Sequence, residues 1–130
     1  MKNEFIPYEQ ALALKELGFD EPCFKKYIAG CLWSSPTTHE TYQKIHPNSS
    51  DSLAPLYQQA FRWFREKYGL HPHFCFFTDE KLWNVDIYAY LKEYGLKTDP
   101  CTMKFKAYEE AEYACLNKLI EIVKSKNNTP

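Results

Sequence analysis

The sequence predicts an α+β fold in which about three helices pack on one face of an antiparallel sheet of three to five strands. Three segments repeat apolar residues at helical spacing, and the segments between them are rich in aromatic and β-branched residues. Short turns separate neighbouring strand-like segments, and such connections join antiparallel strands. The order helix, two strands, loop, helix, two or three strands, helix favours helices that cover one sheet face.

The chain has 130 residues, which predicts one domain over residues 1–130. Its formal charge of −1 gives the whole chain no long-range attraction for nucleic acid or an anionic membrane. No apolar stretch approaches the roughly 20 residues that span a bilayer. Five cysteines without a CxxC pair indicate reduced thiols. We therefore expect a soluble cytoplasmic protein.

The first half is predicted to contain a helix, a hairpin and a long loop. Residues 7–17 form the helix, because a proline suits its first turn and an apolar stripe follows. Residues 23–33 favour a hairpin whose turn is marked by Gly30. Residues 34–54 are polar and predict a long loop, in which residues 41–45 could form a brief strand.

The second helix is predicted over residues 55–70, which read PLYQQAFRWFREKYGL. Pro55 suits the first helical position, and Gly69 can supply the left-handed residue that ends the helix. Aromatic residues recur at helical spacing and predict a buried stripe of Tyr57, Phe61, Phe64 and Tyr68.

The second half predicts a hairpin and a final helix. Residues 71–78 form a buried strand, and residues 83–91 alternate between apolar and polar side chains. Residues 95–100 predict a turn-rich connection and residues 101–105 an edge strand. The last helix is predicted over residues 108–124, with a frayed tail at 127–130. In the alternating strand, Trp83, Val85, Ile87, Ala89 and Leu91 share one face, and Asn84, Asp86, Tyr88 and Tyr90 share the other.

Three stretches carry a resemblance: YEQALALKELGFDEPC, PLYQQAFRWFREKYGL and YEEAEYACLNKLIEIVK. Together they resemble small uncharacterised proteins of phages, prophages and Bacteroidetes-type genomes. The resemblance covers roughly a third of the chain. It implies such a source and an intracellular accessory role. It brings no activity and no catalytic residue.

A zinc site is one candidate, at His71-x-His73-x-Cys75. Alternate residues of a strand share a face, and imidazole and thiolate are good zinc ligands, with Cys31 or Cys101 as a fourth. A capping His71, a surface His73 and a buried Cys75 thiol explain the same pattern, and we prefer that interpretation.

Catalysis by a cysteine has less support, because no local signature pairs any cysteine with a histidine. Cys75 and Cys115 lie in apolar patterns, where free thiols are usually inert. No catalytic residue and no cofactor are predicted.

The second helix offers a candidate anion site. Arg62 and Arg65 beside Trp63 could hold an anionic or nucleotide-like small molecule, or bases could stack on the aromatic rings. Glu66 dilutes the positive charge, and a solvated helix face explains these residues equally well.

Tyr88 and Tyr90 suggest a contact surface. If helices cover only the face of Val85 and Ile87, these two rings are partly exposed and suit a partner or ligand. The preferred hypothesis is a non-catalytic binding protein that contacts a protein partner or self-associates, rather than an enzyme. The alternatives are an anionic-ligand-binding protein or enzyme at Arg62, Arg65 and Trp63, and a zinc protein.

Overall fold

The computed structural model describes residues 4–34, 50–91, 95–98 and 103–127, and its side chains except at 90, 91, 95–98, 126 and 127. These residues contain three helices and two antiparallel sheets, so the predicted α+β class is confirmed. The elements are α1 (Tyr8–Glu16), β1 (Lys25–Ile28), β2 (Cys31–Ser34), β3 (Ser52–Ala54), α2 (Tyr57–Tyr68), β4 (Leu70–Phe77), β5 (Leu82–Leu91), β6 (Gly95–Thr98), β7 (Met103–Phe105) and α3 (Tyr108–Asn127).

The chain divides into two compact units, residues 1–59 and residues 60–130. Each unit has its own sheet, where the sequence predicted one sheet for the whole chain. The two groups of strands are separated along the chain by α2, and no strand of one group pairs with a strand of the other among the described residues. The single domain expected from the length stays a prediction. Within the described part, none of the helices is both long and apolar enough to cross a membrane.

The first unit has a three-stranded sheet in the order β2-β1-β3, with α1 packed against β3. The predicted hairpin is confirmed, and its two-residue turn has positive φ at Ala29 and Gly30, 52° and 80°. Two positive φ angles give the strand twist that such tight turns require. The buried Tyr27 hydroxyl donates a hydrogen bond to the Ile6 carbonyl at 2.8 Å, and its ring lies 5.3 Å from that of Tyr8.

The long loop predicted up to residue 54 is wrong at its C-terminal end. Ser52, Leu53 and Ala54 form β3, which pairs antiparallel with β1 and is fully buried. Three residues are too short to show a period of two in the sequence, so only the pairing partner defines this strand. The brief strand predicted at 41–45 lies outside the described residues.

The second helix begins at Tyr57 rather than at Pro55. The Pro55 carbonyl accepts a hydrogen bond from the Ile6 amide, and the Tyr57 amide donates to the Glu4 carbonyl, both at 3.0 Å. These bonds hold the segment before α2 extended beside residues 4–6, so Pro55 is not in the helical conformation that its fixed φ also allows. The end of the helix is as predicted, because Gly69 has φ +67°.

The second unit is built around β5. Strand β4 pairs with one edge of β5 along its length, from Leu70 opposite Ala89 to Phe77 opposite Leu82. Strands β6 and β7 both pair with the other edge of β5. The turn-rich connection predicted at 95–100 is therefore wrong over Gly95–Thr98, where β6 forms. Its glycine and threonine favour a turn locally, but pairing with β5 decides the conformation.

The edge of β5 shared by β6 and β7 has an interruption. Thr98 pairs with Tyr88, and Met103 pairs with Val85. Four residues thus connect β6 to β7 where only Asp86 and Ile87 lie between the pairings on β5.

Helices α2 and α3 pack on one face of this second sheet, here called the covered face. The Phe61 ring of α2 lies 5.6 Å from Phe74, and the Tyr108 ring of α3 lies 5.3 Å from Phe74 and 4.8 Å from Trp83. Val85 and Ile87 are at most 1% exposed. The predicted covering of one sheet face by helices is thus seen in this unit.

The left-handed residue at Gly69 generates a stability prediction. A Cβ built at Gly69 has no heavy atom within 4 Å, so any cost of a side chain here is conformational. We expect Gly69→Ala to lower the free energy of unfolding by about 1 kcal/mol. Gly69→Asn should lower it less, because asparagine tolerates this conformation. Urea unfolding of the three proteins measures both effects, and equal stability of all three would contradict the explanation.

Candidate functional site

The face of the second sheet opposite the covered face, here called the open face, is the candidate site. Residues opposite each other on paired strands share a face, so the pairings define its members. His71, His73 and Phe77 are exposed, and Cys75, Asp86 and Tyr88 are partly exposed. The members with described side chains are His71, His73, Cys75 and Phe77 of β4, Leu82, Asn84, Asp86 and Tyr88 of β5, and Lys104 of β7.

The predicted zinc triplet and Tyr88 lie together on the open face. His71 is opposite Tyr88, and the His73 ring lies edge-on to the Tyr88 ring with centroids 6.0 Å apart. Across residues 4–34, 50–91, 95–98 and 103–127, no group of three His, Cys, Asp or Glu side chains is arranged to hold a metal ion. Cys101 lies outside the described residues. The zinc site stays a prediction.

Asn84 occupies the centre of the open face and is only 5% exposed. Its Nδ2 donates a hydrogen bond to Asp86 Oδ2 at 3.0 Å. A carboxylate only accepts hydrogen bonds, so the amide nitrogen must face Asp86 and the amide oxygen must point elsewhere. That buried Oδ1 has no hydrogen-bond partner among the described residues. Such an unpaired acceptor typically costs about 1–3 kcal/mol of stability.

Lys104 of β7 lies directly opposite Asn84. Its ammonium group contacts residues at the turn between β4 and β5. Its Nζ lies 3.0 Å from Glu80 Oε2 and 5.8 Å from the centroid of the Phe77 ring. The two charged side chains are 45% and 49% exposed, so this ion pair contributes little stability. The Lys104 side chain can therefore move at small cost.

The alternation along β5 predicts Asn84 and Asp86 on this face, but nothing in the sequence gives either residue a role. The available signal was their residue type, because asparagine and aspartate are unfavourable in strands. Their neighbours in β5 are mostly aromatic or aliphatic. The sequence could not reveal that one amide oxygen would be buried without a donor.

The predicted anion-site residues lie on α2, which packs on the covered face. Arg62 is exposed and Arg65 is partly exposed, but Trp63 is 5% exposed. The Trp63 ring packs edge-on against Phe64 and Tyr68, and Lys67 Nζ lies 5.0 Å from its centroid. The structure does not bring this group together with Tyr88. The Tyr90 side chain lies outside those described.

Two buried thiols are poor nucleophiles. Burial raises the pKa of Cys23 and of Cys115 to about 12, with a smaller opposing effect at Cys23 from a hydrogen bond with Gln59. Both thiols are thus protonated at neutral pH, and the thiolate is the reactive form. Cys31 is exposed on β2 and Cys75 is partly exposed on the open face.

Comparison of the chain with protein-family models, curated proteins and solved structures found no match. The resemblance to phage, prophage and Bacteroidetes proteins stays a prediction.

The burial of the thiols predicts their order of reactivity. With N-ethylmaleimide at neutral pH we expect Cys31 to be modified first and Cys75 more slowly, while Cys23 and Cys115 react only after unfolding. Peptide mapping by mass spectrometry at several time points follows each site separately. Modification of Cys115 in the folded protein at the same rate as Cys31 would contradict this order. The control is the same reaction in urea, which measures the reactivity of each thiol in the unfolded chain.

Proposed function

We propose that the protein is a non-catalytic binding protein and that the open face contacts a protein partner. The observation that carries this proposal is a combination on the sheet face opposite α2 and α3: aromatic rings lie there beside a buried acceptor that has no donor among the described residues. Aromatic residues are enriched at protein interfaces, where they bury a large area at little entropic cost.

Two apolar areas on the open face could both contact a partner protein. The His73 and Tyr88 rings form one aromatic pair, and Phe77, which is 39% exposed, adds a second apolar area towards the hairpin end. Between them lie Asn84 and Asp86 with their polar atoms. This mixture of aromatic anchors and hydrogen-bonding groups is typical of protein recognition surfaces.

The anionic-ligand alternative depends on Arg62 and Arg65 without Trp63, because neighbouring side chains already cover most of the Trp63 ring. Two arginines on a helix face are common and give little specificity. An intracellular accessory role, which the family resemblance implies, accords with a protein-binding function.

A comparison of open-face and helix-face variants tests the proposal. We expect the His73→Ala, Tyr88→Ala double variant to recover at least about tenfold less partner than the original protein. The reason is that central aromatic residues contribute most of the binding energy of an interface. Tyr113→Ala is the matched control, since Tyr113 is 39% exposed on α3. Quantitative mass spectrometry after crosslinking and affinity capture from cells measures partner recovery, and sedimentation velocity measures self-association.

Circular dichroism of all variants establishes that they are folded before capture is compared. If the double variant and Tyr113→Ala recover the same proteins in the same amounts as the original protein, and the oligomeric state is unchanged, the open face is not the binding surface.

A further inference from the structure

We propose that the outer edge of β4 pairs with the same edge of a second copy of this chain, across a two-fold axis at Cys75. The outer edge is the side of β4 that faces away from β5. Strand β4 ends the sheet order β4-β5-β6, and β7 also pairs with β5 rather than with β4. No strand of the described residues therefore bonds to this edge. Unpaired backbone N–H and C=O groups along a sheet edge are a template for a further strand.

Pro72 shows which residues direct their backbone groups outward. Proline has no N–H, and inside a regularly paired strand it is tolerated where its nitrogen faces away from the neighbouring strand. Backbone groups of alternate residues point to opposite edges, so Phe74 and Phe76 direct theirs outward as Pro72 does. The Phe77 carbonyl agrees with this assignment, because it accepts a hydrogen bond from the Lys81 amide at 2.8 Å, in the turn that leads to β5.

The same proline fixes the register of the pairing. It interrupts outward hydrogen bonding at its own position, so the uninterrupted outer edge of β4 consists of residues 73–77. Two antiparallel copies of this stretch overlap fully when Cys75 lies opposite Cys75 of the second copy. Phe74 then lies opposite Phe76 of the second copy, and Phe76 opposite Phe74. Residues paired in this way exchange both N–H···O bonds, and the interface is closed and self-complementary.

The side chains of this stretch favour a second copy as the occupant. Phe76 and Phe77 are 43% and 39% exposed, and they lie on opposite faces of the sheet. The pairing places Phe76 opposite Phe74 on the covered face, and Phe77 opposite His73 on the open face. Each exposed ring thereby gains an aromatic neighbour, and cross-strand aromatic pairs stabilise antiparallel strands.

Strand β4 also lacks the charges that keep two copies apart. Its sequence, LHPHFCFF, contains no lysine, arginine, aspartate or glutamate. Sheet edges that avoid pairing usually carry such a residue, most often lysine. A two-fold pairing brings identical side chains together at its centre, so it requires a neutral residue there, and Cys75 meets this requirement.

The pairing joins the open faces of the two copies into one surface. Cys75 is on the open face, and residues opposite each other on paired strands share a face. His73 of each copy then lies beside Phe77 of the other, so a bound protein meets aromatic side chains from both copies. The pairing itself does not depend on the function proposed above.

Sedimentation velocity of the full chain in reducing buffer tests the pairing. Over about 1 μM to 1 mM, the range in which a small interface associates, we expect the weight-average mass to rise from 15.4 kDa towards twice that value. Cys75→Lys should weaken the dimer at least about tenfold, because like charges directly opposite each other are destabilising. Cys75→Ser should keep the dimer. The matched control is Cys31→Lys, at an exposed position of β2, which should also keep it.

Oxidation with copper(II)–phenanthroline tests the register. The copper(II) ions accept the two electrons that two thiols lose, with two protons, when the sulfur–sulfur bond forms. The proposed register brings the two Cys75 Cα atoms to about 4.5 Å, within the range of about 4.4–6.8 Å that a disulfide spans. We expect peptide mapping to find mainly a Cys75–Cys75 disulfide between copies, although Cys31 is the more exposed thiol.

Hydrogen exchange followed by nuclear magnetic resonance gives a readout that needs no variant. The Phe74 and Phe76 amides should exchange more slowly as the protein concentration rises. The Cys75 amide, which is directed to β5, should be protected at every concentration. A monomer at all concentrations, a folded Cys75→Lys variant that dimerises like the original protein, or crosslinking mainly through Cys31 would overturn the inference. If circular dichroism shows that Cys75→Lys is unfolded, the concentration dependence of the two amides decides.

These outcomes are distinguishable from a failure of the proposed function. A dimer that captures no other protein would reject the binding function and leave the pairing in place. A monomer that captures a partner through Tyr88 would reject the pairing alone. Protection of the Phe74 and Phe76 amides only when that partner is added would assign the edge to a strand of the partner instead of a second copy.

Discussion

The alternation of side chains along β5 determines how the second unit is organised. Val85 and Ile87 point to the helices and are almost completely buried, whereas Asn84, Asp86 and Tyr88 point the opposite way. The same strand therefore supplies the centre of the core and the centre of the open face. A shift of one residue in its pairing would exchange the two sets, burying Asp86 and exposing Val85, so the buried face fixes the register of the open one.

This constraint fixes the positions of the side chains on the open face, although the sequence contains no motif that specifies a reaction. Pairing with β4 along the length of β5 places His73 beside Asp86 and near Tyr88. The packing of Phe61 and Tyr108 on Phe74 holds β4 from the covered side. A surface on paired strands is more rigid than one on loops, which lowers the entropic cost of binding.

Asn84 shows where folding and binding compete. Asparagine is unfavourable in strands, and its buried oxygen here has no donor among the described residues, so the residue opposes folding in two ways. An apolar side chain of similar size would avoid the unpaired acceptor. Local departures from the rules of good packing are found at functional or strained positions, and stability from the rest of the fold compensates for them.

The sequence by itself determined the elements with strong periodicity and clear ends. The three helices, the β1–β2 hairpin and the two faces of β5 all follow from residue spacing, with Gly69 and Gly30 at turns that need positive φ. The partial exposure of Tyr88 followed from the same alternation.

Tertiary structure alone decided the remainder. Strands β3 and β6 are too short or too rich in turn residues to show a pattern, and they exist because β1 and β5 offer unpaired hydrogen-bonding edges. The division of the strands into two sheets likewise depends on pairing between segments that are separated along the chain. The state of Asn84 Oδ1 belongs to this group, because a hydrogen-bond deficit is a property of surrounding atoms and has no trace in residue order.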